Sequence, residues 1–149
     1  MANVGVYTLQ VTQSWRGKDA YGNIFPLHWA LTIRTSGSDA RPIGKIYNAA
    51  GNIDTFFYET LSDAPLTNSN WRGDLKVGNI PADALPAMER ILEGEVPVVR
   101  NNYNWNCQNW VWSALRRLRQ KGFNISPTTW DSLVSDMNSL LDAWESGDI

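Results

Sequence analysis

The hydrophobic residues of this chain change their spacing near its middle, and that change limits the folds open to it. Residues 27–34 alternate between large apolar and smaller or polar side chains, which is typical of a strand and places His28 on the face opposite Trp29. Other segments rich in β-branched or aromatic residues lie at 4–12, 43–48, 55–60 and, more weakly, 75–77. Turns of Gly, Asn and Asp separate these segments, so we expect antiparallel hairpins.

The second half has helical spacing. Asp83 is placed to cap a first helix, which Gly94 ends. A second helix is predicted to begin near Cys107 and stop at Gly122, and a third to start at Ser126-Pro127. The two halves together predict an α+β fold: an antiparallel sheet of four to six strands, drawn from the N-terminal half, packed against about three helices. A chain of 149 residues fits a single domain, which we place at residues 1–149.

Charge and composition exclude several classes of partner. The net charge is −2, from 13 basic and 15 acidic residues, so the chain lacks the basic excess of a nucleic-acid-binding protein. One cysteine and one histidine allow neither an intramolecular disulfide nor a zinc cluster. The first ten residues do not form a leader, and no apolar run reaches the roughly 20 residues that span a bilayer. We expect a cytoplasmic protein without metal, cofactor or stable membrane anchor; its oligomeric state stays open.

The only cysteine and the only histidine are the candidate catalytic residues. Cys107 lies at the predicted start of a helix, where unpaired amides and the helix dipole favour a thiolate and lower its pKa from about 8.5. The backbone N–H of Cys107 is also placed to stabilise an oxyanion. If the fold brings the ring of His28 within hydrogen-bond reach of the sulfur, the imidazole can serve as the base.

The structural alternative is that neither residue is catalytic. Cysteine is among the most buried residue types, and Cys107 begins the apolar stripe of its own predicted helix. The two residues are 79 positions apart, so spacing alone gives no distance between them.

Two segments carry a family resemblance. They are LHWAL at 27–31 and NCQNWV at 106–111. In the same order, they resemble the paired signatures of the lecithin:retinol acyltransferase-like family, in which an H-W-A strand precedes an N-C-E-H-F helix start. That family is similar to the NlpC-type cell-wall peptidases. The resemblance covers residues 20–120 approximately, and it implies a circularly permuted papain-like fold, with the histidine strand ahead of the cysteine helix.

The resemblance also implies a third polar residue, on the strand after the histidine strand, that orients the imidazole. Asn48 stands where the acyltransferases carry a second histidine. An amide oxygen there can accept a hydrogen bond from a ring N–H, as in papain-like Cys-His-Asn sites. This asparagine favours peptide or amide hydrolysis over lipid acyl transfer, and so does an acidic C-terminal helix in place of an apolar anchor.

We therefore predict a cysteine-dependent hydrolase that acts on a peptide, amide or acyl substrate through an acyl-enzyme intermediate, with Cys107, His28 and Asn48 as its catalytic residues. One alternative is acyl transfer or phospholipase action by the same Cys-His pair. Protein deamidation and crosslinking are further thiol chemistries that the sequence allows. A different class of function is a catalytically silent module that uses the eight tryptophans to bind a ligand.

Three local patterns add smaller predictions. The tripeptide at 72–74, Arg-Gly-Asp, is predicted to be a turn. The Asn-rich run at 101–106 is interpreted as one wall of a substrate cleft, with side-chain-capped turns as the alternative. Trp112 lies outside the apolar stripe of its helix. Its side chain is therefore predicted to contact solvent, a partner or the last helix.

Overall fold

The computed structural model describes residues 5–149. Within that range the chain forms six antiparallel strands in one sheet and three α-helices, which confirms the predicted α+β class. The strands are β1 (Val6–Ser14), β2 (His28–Gly37), β3 (Pro42–Ala50), β4 (Phe57–Pro65), β5 (Trp71–Pro81) and β6 (Asn124–Ile125). The helices are α1 (Leu85–Glu95), α2 (Cys107–Gln120) and α3 (Trp130–Glu145).

The sheet combines local hairpins with one long-range pairing. Strands β1 to β4 pair in sequence, as the predicted turns require. Strand β5 then returns to the other side of β1, and the order across the sheet is β4-β3-β2-β1-β5-β6. β1 is therefore an interior strand although it comes first in the chain. The predicted beginning of this strand, Val4, lies outside the described residues.

One face of the sheet and the helices enclose the core. Trp29, Leu31 and Ile33 on β2 are buried there, as the alternation predicted. Helix α2 packs against β2 and β3, and α3 packs against β5. Gln13 joins the layers, because its side chain accepts a hydrogen bond from Trp29 Nε1 at 3.0 Å and donates one to the Met137 carbonyl, also at 3.0 Å.

The boundaries of two helices differ from the prediction. Asp83 is not the cap of α1: residues 82–84 form a 3-10 turn, and α1 begins at Leu85 with no capping side chain. Gly94 does not end α1, which continues to Glu95. Helix α3 does not start at Ser126, because the Ser126 N–H is bonded to the Val77 carbonyl beside β6.

The first turn of α3 is instead fixed by Thr129, whose hydroxyl accepts a hydrogen bond from the Ser132 N–H. Trp112, left open by the sequence, is half buried and packs edge-to-face on Trp130 of this helix, with ring centroids 6.3 Å apart. Its contact is therefore with the last helix.

The Arg-Gly-Asp tripeptide is part of β5, so the prediction of a turn is wrong. Arg72 is 8% exposed and its guanidinium lies 3.5 Å from the ring centroid of Trp144, with Trp15 at 5.7 Å. Two carbonyls, of Ser69 and Trp71, accept from its Nη1. The arginine thus fastens the end of α3 to the sheet. None of the described helices has the length and apolarity needed to cross a membrane.

Candidate active site

Cys107 is the first residue of α2, as the sequence predicted, and a capping box fixes this helix start. Asn106 is the N-cap, and its side chain accepts a hydrogen bond from the Gln108 N–H at 2.9 Å. The Asn109 side chain accepts from the Asn106 N–H at 2.8 Å in return. The cap satisfies the amides on either side of Cys107, while the Cys107 N–H has no acceptor among the described residues.

The sulfur of Cys107 lies against the first residues of β2. Its Sγ is 4.0 Å from the Leu27 carbonyl oxygen, and the backbone N–H groups of Trp29, Gln108 and Cys107 act to lower the pKa of the thiol. The Gln108 side chain donates to the same Leu27 oxygen at 2.9 Å, which ties the helix start to the strand. The thiol therefore lies against the backbone of the residue before His28.

Burial controls the ionisation of this thiol. Cys107 is 1% exposed, and the loss of water raises the pKa of its thiol above the usual value. The amide of Trp29 and the charge of Arg16 act in the opposite direction, as do the amides of the helix start, but burial outweighs them. The predicted lowering of this pKa is therefore wrong, because it took account of the helix end and not of the packing around it.

His28 is the first residue of β2, and its side chain faces away from the core that takes Trp29. Its Nδ1 is buried and has no hydrogen-bond partner among residues 5–149. Burial, together with the smaller effect of the positive charge of Arg16, lowers the pKa of the imidazole to about 4, although the side chain of Asn48 acts to raise it. The ring is therefore neutral at pH 7.

Asn48 is buried on β3, with 4% of its surface exposed, and shares a sheet face with His28. Leu31 of β2 pairs with Tyr47 of β3. Asn48, the next residue of β3, therefore lies diagonally across from His28. The side chain of Asn48 acts to raise the pKa of His28, and both residues line the same cavity. The sequence-predicted neighbours on adjacent strands are therefore brought together.

A cavity of about 200 Å³ opens on this face of the sheet, and both His28 and Asn48 line it. Cys107 is not part of its lining. The sulfur thus lies beside the main chain of His28, behind the wall of the cavity, rather than inside it. Of the three predicted residues, the structure places two, His28 and Asn48, in one cavity and the third, Cys107, against the chain at the start of β2.

Arg16 is a site residue that the sequence analysis missed. It is exposed in the loop after β1, where its guanidinium donates to the Gly51 carbonyl at 3.3 Å, and its charge lowers the pKa of both His28 and Cys107. One cation therefore disfavours the protonated imidazole and favours the thiolate. The sequence carries no signal for this role, since Arg16 lies in no recognisable motif.

The Asn-rich run before α2 forms capped turns. The Asn104 N–H donates to the Asn102 side chain, and the Asn101 N–H donates to the Ile53 carbonyl. Trp105 packs edge-to-face on Phe56, with ring centroids 5.3 Å apart, and this contact holds the run against the turn after β3. The capped-turn alternative is therefore observed; the run does not contribute to the cavity that His28 and Asn48 line.

The comparisons with known proteins identify a family. Residues 18–124 match DUF6540, which is described as a family of unknown function. The chain belongs to the DUF6540 family. In this DUF6540 protein the matched region begins in the loop between β1 and β2 and ends at β6, so that it includes His28, Asn48 and Cys107. No curated protein and no solved structure matches the chain.

Proposed function

We propose that this DUF6540 protein is a cysteine-dependent hydrolase that cleaves an amide or peptide bond, with Cys107 as nucleophile, His28 as base and Asn48 as the residue that orients the base. The observation that carries the proposal is the position of the sulfur. Although 79 residues separate them in sequence, Sγ of Cys107 lies 4.0 Å from the carbonyl oxygen of Leu27, the residue immediately before His28, while no hydrogen bond joins the sulfur to the imidazole within the described residues. The order of a histidine strand before a cysteine helix also suits the permuted papain-like fold that the resemblance implies.

The proposed reaction uses the pair in its neutral form. The imidazole takes the proton of the thiol as the sulfur attacks the carbonyl carbon, and the Cys107 N–H stabilises the resulting oxyanion. The C–N bond then breaks, and the imidazolium gives its proton to the departing amine. Water, deprotonated by the same ring, attacks the thioester and releases the carboxylic acid together with the free thiol.

A neutral resting pair agrees with this order of proton transfers. A base must be unprotonated before it acts, and the ring is unprotonated at all pH values above about 4, but a pKa this low also makes His28 a weak acceptor for the thiol proton. The Arg16 charge lowers the pKa of the thiol and so favours the thiolate as it forms.

A catalytically silent binding module is the second candidate. It is favoured by one observation: the cavity that His28 and Asn48 line does not include Cys107, whose surface is 99% covered. In this alternative the cysteine is a core residue, and the imidazole and the amide contact a bound ligand.

Alkylation of the single cysteine separates the two candidates. For the hydrolase, we expect the rate of reaction with iodoacetamide to rise with pH around the pKa of His28, about 4, and then to form a plateau. Because the base would be lost, His28→Ala should slow the reaction roughly 100-fold on that plateau. Mass spectrometry of the intact protein gives the rate, and the same protein in 8 M urea supplies the free-thiol reference.

A Cys107→Ser variant is the blank, because it leaves no thiol in the chain. The hydrolase proposal fails if the rate rises only around the pKa of a thiol and His28→Ala reacts as fast as the parent. That result would favour the binding module.

A further inference from the structure

The cavity that His28 and Asn48 line has two kinds of wall. One wall is apolar and is formed by Ile46, Leu61 and Leu66. The other wall carries polar side chains, including Glu59 on β4. A ligand that fits both walls must have an aliphatic part and a polar end.

The lining of this cavity carries a negative charge. Within the described residues, Glu59 is the one charged side chain in its lining. A second carboxylate lies beside the cavity on β5, because Thr12, which lines the cavity, donates a hydrogen bond to Asp74 Oδ1 at 2.8 Å. At the Glu59 end, away from the Arg16 charge that acts on His28, these carboxylates favour a positively charged ligand.

Three hydrogen-bond acceptors of the cavity lie close together. Asn48 and Glu59 are directly opposite each other in the pairing of β3 with β4, which puts their Cβ atoms about 5 Å apart on one face. The unpartnered Nδ1 of His28 is on a neighbouring side chain of the same face. An ammonium group has three donors and no acceptor, so a carboxylate, an amide oxygen and a ring nitrogen match it.

Two of the hydroxyls of this face are already engaged. Thr12 and Thr32 are hydrogen-bonded to each other at 2.7 Å, and Thr12 also bonds to Asp74. The lining carboxylate of Glu59 and the amide of Asn48 lie between β3 and β4, whereas the hydroxyl of Ser14 is on β1. The charge of Arg16 acts on the His28 side of the site, which favours the Glu59 end for a cation.

We infer that this cavity binds a primary aliphatic amine, such as the end of a lysine side chain or of a diamine, with the ammonium group at Glu59 and Asn48 and the alkyl chain against Leu61 and Leu66. If the amine is part of the substrate, so that amides bearing it are cleaved, the inference rests on the proposed function. Binding of the amine alone does not require Cys107.

The test measures binding in the Cys107→Ser protein, where no thiol chemistry can occur. The probe is n-butylammonium at pH 7, with n-butanol as its uncharged counterpart, and the readout is the set of amide shifts in ¹H–¹⁵N correlation spectra. We expect saturable shifts at residues of β3 and β4 with a dissociation constant on the order of 1 mM, since the probe has few atoms. The alcohol should bind at least about ten-fold more weakly, because it lacks the charge.

Variants assign the charge to its residue. Glu59→Gln should weaken n-butylammonium about ten-fold, while Glu59→Asp, which keeps the carboxylate, should restore most of the affinity. Glu93→Gln is the matched control, because Glu93 is an exposed glutamate on α1 and does not line the cavity. Spectral dispersion of each variant shows that it is folded.

The inference is overturned if n-butylammonium causes no saturable shifts, if n-butanol or hexanoate binds as tightly, or if Glu59→Gln binds like the parent. Failure of this test together with His28-dependent alkylation would remove the amine class and leave the hydrolase proposal standing. Amine binding without His28-dependent alkylation would keep the inference as a binding site and remove the hydrolase.

Discussion

The ionisation of His28 makes the stability of the whole domain depend on pH. Burial lowers the pKa of the folded-state imidazole to about 4, whereas an unfolded histidine titrates near 6.5. Between these values the unfolded chain binds more protons than the folded one, so stability falls as the pH decreases through this window. We expect this group to reduce the free energy of unfolding by about 2 kcal/mol between pH 6.5 and pH 4.5.

Urea unfolding at a series of pH values checks this prediction, with His28→Gln as the comparison. Because glutamine does not titrate, the variant should lose that part of the pH dependence while the carboxylate contributions below pH 4.5 remain. If the free energies of unfolding of the parent and the variant changed in parallel between pH 4.5 and pH 6.5, the imidazole would have the same pKa in the folded and unfolded states, which would contradict the prediction.

Single residues show where sequence reasoning stops. The helix start near Cys107 could be predicted, because it follows from local periodicity. The place of Asn48 next to His28 was implied only by the family resemblance, since periodicity does not set the register between strands. The raised pKa of the thiol could not be predicted, since it depends on the contact of Cys107 with residues 80 positions away. Arg16 acts through the same kind of long-range proximity.

Two glycines in regular elements are expected to respond oppositely to alanine. Gly44 on β3 lies so close to β2 that an added Cβ would overlap the Ile33 carbonyl oxygen, and strand pairing would have to shift. We expect Gly44→Ala to lower the free energy of unfolding by roughly 1–3 kcal/mol. Gly94 in α1 has open space around its missing Cβ, so Gly94→Ala should raise stability by about 0.5–1 kcal/mol.

Urea titrations of the two variants against the parent measure these effects. Each glycine serves as the control for the other, because the change is one methyl group in both cases. A destabilisation of the same size at both positions would contradict the close approach of β2 and β3 at Gly44.

At the scale of elements, periodicity was a better guide than capping signals. The β2 alternation and the α2 stripe are present as predicted, because each buries a continuous apolar face. Asp83 and Ser126 have the right chemistry for caps and do not act as caps. Each is instead held by neighbouring structure, the first in a 3-10 turn and the second by a carbonyl of β5. Tertiary contacts decide such boundaries.

The whole molecule depends on two elements that lie outside the region matched to the DUF6540 family, β1 and α3. β1 is interior to the sheet, since β2 and β5 pair with its two edges. α3 covers the core through Leu133 and Met137. Its Trp130 packs on Trp29, the residue after His28, at 5.9 Å. The fold of the candidate site therefore extends beyond the matched residues.

Removal of α3 should accordingly abolish cooperative folding. A chain that ends at Pro127 loses the buried side chains of this helix, and burying one such side chain contributes about 1.5–3 kcal/mol. Together with the Gln13–Met137 hydrogen bond and the Arg72–Trp144 contact, the loss approaches the 5–15 kcal/mol that typically stabilises a domain. Circular dichroism in urea should show no sharp transition, and Cys107 should react with iodoacetamide as it does in the unfolded parent.

As a graded control, Met137→Ala should unfold cooperatively with a loss of about 2–5 kcal/mol in the free energy of unfolding. If the truncated chain unfolded in one transition at the urea midpoint of the parent, the core would be complete without α3 and the prediction would be wrong.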